Sequence, residues 1–203
     1  MLLKLLNALL DLAKLESGGA TFTFEPADLR VLVKSVVNEF DAMLSERGLS
    51  LRYEWSDPFD KLRAGFDGLV ALDADKIEQV VRNLLNNAIK FSAQDGQIDV
   101  DIRFVGDSVR VSVRDRGPGV PEDELEAVFD KFVQSSKTKT GAGGTGLGLA
   151  ICHEIIAGHA GRIWAENRPG GGAVFSFEIP LSVDQRTGDQ PSFAGAAGDF
   201  AAR

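Results

Sequence analysis

The stretch Asn83-Leu84-Leu85-Asn86-Asn87-Ala88-Ile89-Lys90 sits inside residues 75–91, where Ile77, Val81, Leu84, Leu85 and Ala88 recur every three or four positions. That period predicts a helix with one buried face. On the opposite side, Lys76, Gln79, Asn83, Asn87 and Lys90 fall on one polar stripe. Two further segments follow it along the chain. Asp115-Arg116-Gly117-Pro118-Gly119 reads as a glycine turn, and Gly144-Thr145-Gly146-Leu147-Gly148-Leu149 as a glycine-rich lead into an apolar helix.

The surroundings of these segments interleave strands and helices. Ile98, Val100, Ile102 and Phe104 alternate with polar residues, Gly106-Asp107 turns the chain, and Val109, Val111 and Val113 alternate again, which is the pattern of a β-hairpin. Residues 49–55, 162–166 and 173–179 read as further strands, as do residues 21–24, where Thr and Phe alternate. Pro26 and Asp28 mark the entry to an amphipathic helix carrying Leu29, Leu32, Val33, Val36, Val37 and Phe40 and closed at Gly48. Pro121 opens a short helix to Phe132. Residues 57–68 and 134–144 have loop composition, and residues 184–203, rich in Gly, Ala and Asp, read as a disordered tail. Hairpins outnumber crossover units, so the expected class is α+β: a two-layer α/β sandwich whose mixed, mostly antiparallel sheet is covered by helices.

Ahead of this domain, Leu2, Leu5, Leu9 and Leu12 form one helical stripe that ends near Gly18-Gly19. Its apolar run is interrupted by Lys4, Asn7 and Asp11 and is far shorter than the roughly 20 residues of a membrane span. A coiled-coil-like interaction helix is the expectation, with homodimerisation through it and no membrane contact by this chain. The domain division is then 1–19, 20–183 and 184–203. The 203 residues are 44% hydrophobic with a formal charge of −8, which argues against a nucleic-acid partner, since a phosphate-backbone binder carries a basic face. The single Cys152 lies in an apolar run and reads as a small buried side chain compatible with a reducing, cytoplasmic setting.

Each motif admits two readings. Asn83 and Asn87, one turn apart with Lys90 a turn further, suit a hydrated cation and phosphate oxygens; a plain solvated helix face carries the same residues. Asp115 before Gly117 and Gly119 is placed to accept from an exocyclic amine while the glycines admit a flat ring; it is equally an ordinary Asp-Gly turn. Gly144, Gly146 and Gly148 ahead of a helix offer backbone N–H groups to an anion. A dinucleotide fingerprint must follow a strand, and residues 135–141 are not one; the Gly-Lys-Ser/Thr of a Walker loop is absent. Lys137 and Lys139 either reach a terminal phosphate or are ordinary solvated lysines.

The ordered set Asn83-Leu84-Leu85-Asn86-Asn87-Ala88, Asp115-Arg116-Gly117-Pro118-Gly119, Phe129-Asp130-Lys131-Phe132 and Gly144-Thr145-Gly146-Leu147-Gly148-Leu149 resembles the N, G1, F and G2 boxes of sensor histidine kinases, and Gly171-Gly172-Ala173-Val174-Phe175 is similar to a further glycine box. The resemblance covers about residues 25–181. It implies the Bergerat-type ATP fold shared with type II topoisomerases and heat-shock chaperones, with ATP and Mg²⁺ as cofactors. It also implies a nucleotide site drawn from Asn83, Asn87, Lys90, Asp115, Gly117, Gly119, Phe132, Lys137, Lys139, Gly144, Thr145, Gly146, Leu147 and Gly148. Within it Asn87 and Asn83 would face the metal, Asp115 the adenine, and residues 134–143 would form the ATP lid.

Residues 2–18 look like the end of the second helix of that family's dimerisation and phosphotransfer hairpin. The first helix, which bears the phosphorylated histidine, has no counterpart in the sequence. His153 and His159, the two histidines present, follow the G2 box and are expected to be structural. Topoisomerase and chaperone relatives carry a water-activating glutamate where this chain has Asn83, and an amide cannot act as a general base. The implied chemistry is γ-phosphoryl transfer to a histidine on another hairpin, with a response regulator downstream and no self-phosphorylation. A regulatory nucleotide-binding module without phosphotransfer and a serine-directed kinase of the same fold are the alternatives.

Overall fold

The computed structural model describes residues 2–56, 69–137 and 145–181. Residues 57–68, residues 138–144 with Lys139 and Gly144, and the expected tail at 184–203 lie outside that set. In chain order the elements are α1 (Leu2–Glu16), β1 (Glu25–Asp28), α2 (Leu29–Glu39), α3 (Asp41–Glu46), β2 (Ser50–Ser56), β3 (Leu69–Leu72) and α4 (Ala74–Phe91). They continue with β4 (Gln97–Val105), β5 (Ser108–Arg114), α5 (Gly148–Gly158), β6 (Arg162–Asn167) and β7 (Ala173–Pro180).

Five strands form one mixed sheet in the order β2-β4-β5-β7-β6, with only the β2/β4 pair parallel. Period-two alternation gives this sheet two unlike faces. Ile98, Val100 and Ile102 on β4, Val111 on β5 and Phe177 on β7 are buried under the helices. The open face carries charge instead: Arg52 bonds Asp99, Arg114 and Arg103 both pair with Asp101, and Arg110 and Arg162 both pair with Glu178. The α+β sandwich expected from the sequence is thus the architecture found.

The apolar face of α4 supplies the core with Ile77, Val80, Val81, Leu84, Leu85 and Ile89, each at most 2% exposed. Burying side chains of this size stabilises by about 2 kcal/mol each. Asp73 begins the helix: its Oδ1 accepts from the Lys76 N–H at 3.1 Å, and its Oδ2 accepts from the Thr23 N–H at 3.0 Å. The Asp73 N–H itself donates to His159 Nε2 at 3.0 Å. With Nε2 accepting, the imidazole proton sits on Nδ1 and is donated to the Ile155 carbonyl at 2.8 Å. His159 therefore ties the end of α5 to the start of α4.

Three local expectations change. Residues 21–24 are not a strand. The chain pairs one step later, Glu25–Asp28 against Leu69–Leu72, because Phe22 and Phe24 turn their rings edge-on to His159 at 5.3 and 5.1 Å. The single helix expected to run to Gly48 is split at Phe40, whose N–H bonds the carbonyl three residues back and tightens the turn as its ring enters the core. The short helix from Pro121 to Phe132 is instead two 3-10 turns, Glu122–Glu124 and Ala127–Phe129. Among their residues only Val128 is buried, too little apolar surface to offset the nucleation of an α-helix.

Helix α1 lies against α5 rather than projecting freely. Leu12 is 2% exposed, Leu5, Ala8 and Leu15 pack on the core, and Glu16 pairs with Lys131. The expected stripe is divided, because Leu5 and Leu12 turn inward while Leu9 stays exposed with Leu3, Leu6 and Leu10. The side chain of Leu2 lies outside the described set.

Burial holds the His159 imidazole below the ordinary histidine value of about 6.5, against the opposing pull of the Ile155 carbonyl and Asp73. An unfolded chain takes up a proton there that the folded chain resists, so the contribution of His159 is complete above about pH 6.5 and is lost as pH falls. His159→Ala is expected to cost about 3 kcal/mol in urea denaturation near neutral pH, and the gap to the unaltered protein narrows in mildly acidic buffer.

Candidate functional site

A cavity of about 570 Å³ opens beside the polar stripe of α4. One wall is the last two turns of that helix, presenting Asn86, Asn87 and Lys90. The facing parts are Asp115 with Pro118 and Gly119 after β5, and Thr145, Gly146 and Gly148 at the entry to α5. The floor is apolar, with Val120, Val128 and Phe175. A volume of several hundred Å³ with an apolar floor and a few convergent polar groups is the usual form of a small-ligand site.

Asp115 is 5% exposed, and its Oδ1 accepts two backbone N–H bonds, from Gly117 at 2.8 Å and from Ala173 at 3.1 Å. Burial pushes the carboxyl above its ordinary range, opposed by those two bonds and by the Arg168 charge. Both bonds use the same oxygen, and among the described residues none donates to Oδ2. The carboxylate is thus held rigidly by one oxygen with the other available to the cavity. The turn requires glycine for a packing reason: a Cβ on Gly117 would run into the Phe91 carbonyl. Phe91 ends α4, so this contact seats the turn against the helix wall.

The opposite end is built differently. Helix α5 begins with no side-chain cap, and the N–H groups of its first turn are left without intrahelical partners, as at every helix start. Gly148 and Leu149 carry two of them into the cavity wall. The positive helix end and these donors favour an anion. Gly146 holds a φ of +69°, and a Cβ there would meet the Phe132 backbone at 2.7 Å, so glycine is needed to bring the loop across that segment. Asn83, which bonds the start of α5, and Phe91, which packs on the glycine turn, stand eight residues or about 12 Å of rise apart along α4.

Of the residues singled out from the sequence, Asn87, Lys90, Asp115, Gly119, Thr145, Gly146 and Gly148 line the cavity together. Asn83 stands just off it, its Nδ2 donating to the Gly148 carbonyl at 3.3 Å. Gly117 and the fully buried Leu147 support the wall from behind. Phe132 is 59% exposed and joined to the loop through its N–H to the Gly146 carbonyl at 2.9 Å. The Lys137 ammonium donates to the Pro118 carbonyl at 3.3 Å, which places it beside the glycine turn. Lys139 and Gly144 lie outside the described residues.

Sequence reasoning missed Met43 and Arg47, which reach the cavity from α3 and its end. The Arg47 guanidinium donates to the Ile89 carbonyl at 2.7 Å, and nothing in its local pattern signals that partner 42 residues away. It also missed Asn86, which is adjacent to Asn87 but a third of a turn off the stripe. Gln134 and Ser135 line the cavity at the start of the expected lid.

Residues 72–183 match the model of the family described as histidine kinase-, DNA gyrase B-, and HSP90-like ATPase. Among curated proteins, the sensor protein KdpD of Escherichia coli K12 is 37% identical over 177 residues, covering 87% of this chain but only 18% of its own length. Among solved structures, the nucleotide-free catalytic domain of histidine kinase ThkA is 36% identical with a TM-score of 0.67, covering 78% of this chain and 96% of that one. Full-length ShkA in complex with AMPPNP is 29% identical with a TM-score of 0.76, over 89% of this chain and 36% of that one. ThkA in complex with response regulator protein TrrA matches 87% of this chain and 48% of the kinase at 30% identity and a TM-score of 0.67.

The two oxygens of Asp115 separate stability from recognition. Asp115→Ala strands the N–H groups of Gly117 and Ala173 and is expected to cost about 3 kcal/mol in chemical denaturation. Asp115→Asn keeps the accepting Oδ1 and stays within about 1 kcal/mol of the unaltered protein.

Proposed function

Since the chain belongs to the family of histidine kinase-, DNA gyrase B-, and HSP90-like ATPases, we propose that it works as the ATP-binding catalytic part of a sensor histidine kinase, moving the γ-phosphoryl group to a histidine on a separate helical hairpin. The observation that carries this reading is the polarity of the cavity: a fixed carboxylate on one side and an uncapped helix N-terminus on the other. A nucleoside triphosphate has that same polarity, with an amine-bearing base at one end and anionic phosphate at the other.

In this reading Asp115 Oδ2 accepts from the exocyclic amine of adenine while Oδ1 keeps its backbone bonds. The apolar floor of Val120, Val128 and Phe175 covers the ring. The N–H groups opening α5 receive the phosphates, and the Lys90 ammonium further along the same wall adds a positive charge that offsets theirs. Mg²⁺ suits the remaining donors. The described residues contain no group of three or more carboxylate, His or Cys side chains able to cage a metal, and Asn87 and Asn86 offer neutral carboxamide oxygens to an ion that takes most of its shell from water and phosphate. When bound, that ion neutralises charge on the phosphate oxygens. Asn83 holds α5 in place through its Nδ2 bond to the Gly148 carbonyl, its carboxamide oxygen is proposed with that of Asn87 as a donor to the metal, and as an amide it activates no water. Catalysis then rests on positioning and charge, and hydrolysis is slow relative to transfer.

Neither histidine of the chain is a suitable acceptor. His159 is buried with both ring nitrogens engaged, and His153, beside Glu154, lines a separate groove along β6 rather than the cavity. The acceptor hairpin and a response regulator are the proposed partners, the latter supported by the ThkA complex with TrrA. The exposed Leu3, Leu6 and Leu10 of α1 support self-association through that helix, and residues 1–19 form the proposed dimerisation segment ahead of the catalytic domain at 20–183. No helix among the described residues is long and apolar enough to cross a membrane, and a cytoplasmic site of action completes the reading.

Calorimetric titration tests the site: ATP binds with Mg²⁺ present, and Asp115→Asn, which keeps the fold, weakens binding by about tenfold or more. Unchanged affinity in that variant overturns the assignment of the base-reading end. Incubation with labelled ATP and an added histidine-bearing hairpin is expected to label the hairpin alone. Label on His153 or His159, or on a serine of the partner, overturns the transfer step.

A further inference from the structure

Strand β6 is the outer strand of the sheet, and the ladder to β7 determines which of its backbone groups are spent. The Ala173 carbonyl on β7 accepts from Asp115 and so points away from β6, whereas the Gly172 carbonyl accepts from Arg168 N–H. By antiparallel alternation Arg162, Trp164 and Glu166 face β7, and the N–H and C=O groups of Ile163 and Ala165 face outward. Among the described residues no other backbone group pairs with them. Such an edge is a template for another strand.

The edge lies in a groove of about 690 Å³, separate from the nucleotide cavity and independent of the reading given to it. Ile163, Trp164 and Ala165 form one side, and Leu125 and Phe129 give the facing side its apolar part. The rim is acidic: Glu122, Asp123, Glu126 and Asp130 all line it. Glu122 accepts from Asn167, but no cation among the described residues pairs with Asp123, Glu126 or Asp130. The nearby cations are engaged elsewhere, Lys131 with Glu16 and Lys137 with the Pro118 carbonyl.

We propose that this groove docks an extended segment of a partner protein bearing lysine or arginine, which adds to β6 as a further strand and sets its cationic side chains on the acidic rim. Main-chain bonds to Ile163 and Ala165 supply the register, and the rim selects charge. A second copy of this chain fits less well, although β6 is an open edge. Two copies meeting there would bring two sets of the same four carboxylates into one groove, a like-charge arrangement that opposes association.

The probe is a short capped peptide alternating lysine with valine, compared with a glutamate–valine counterpart, titrated into the full chain. Binding of the cationic peptide alone, weakening with added salt and accompanied by slowed amide exchange at Ile163 and Ala165, is the expected result. Ala165→Pro removes an outward N–H and leaves the β7 ladder intact, so it should weaken peptide binding by about tenfold with unchanged thermal unfolding. The Asp123→Asn, Glu126→Gln and Asp130→Asn triple variant should weaken it similarly and flatten its salt dependence. Equal binding of both peptides overturns the charge selection, and no binding, or slowed exchange that instead tracks a doubling of mass without peptide, overturns the proposed occupant.

Discussion

The packing of α4 against α5 is the constraint on which the site depends. The two helices run antiparallel, and three side-chain to backbone bonds follow their seam in order: Asp73 N–H to His159, Cys152 to the Val80 carbonyl, and Asn83 to the Gly148 carbonyl. The seam excludes water. Burial lifts the Cys152 thiol to about 12, which leaves it a small neutral side chain. Because α4 carries the polar wall of the cavity and α5 begins at its anion-favouring end, sliding this seam by one residue would move one wall about 1.5 Å past the other. A site that works by positioning tolerates little of that.

Around this seam, charge is distributed by environment. The open face of the sheet gathers arginines against partly buried carboxylates, with Arg110 and Arg162 also lying over the Trp164 ring at 5.0 and 4.7 Å from its centre. On that face both oxygens of Glu178 are bonded, one to Arg110 and one to Arg162. In the cavity, by contrast, Asp115 is buried at a cost to its ionised form, and the two backbone N–H bonds on a single oxygen hold it in place. A polar group kept buried while one of its atoms stays available is the pattern of a recognition site rather than of a structural ion pair.

Much of this was readable along the chain. The α4 face, the β4–β5 hairpin and the β6–β7 pair follow from periodicity, since a buried face imposes its spacing on the sequence. Other parts were not. The strand placed at residues 21–24 moved to Glu25–Asp28 because Phe22 and Phe24 are spent on the His159 ring, and Thr-Phe alternation looks the same for either use. The turns after Pro121 carry helix-start residues but lack an apolar face, and nucleation failed there. Asn83 and Asn87 occupy the same stripe, yet one bonds Gly148 and the other lines the cavity, because α5 crosses α4 at only one of those two positions.

By itself the sequence determined the types of the strongly periodic elements, the α+β layering and the set of residues able to form an anion-binding loop and a fixed carboxylate, because these depend on local periodicity, turn chemistry and side-chain type. Only the tertiary structure decided which of those residues meet. Arg47 reaches Ile89 across 42 residues, Lys137 stands at Pro118, Gly117 is held to glycine by the Phe91 carbonyl, and α1 turns Leu5, Leu12 and Leu15 onto the core. Each is a contact between segments distant in the chain, and such contacts are selected by the shape of the packed whole, which local spacing does not encode.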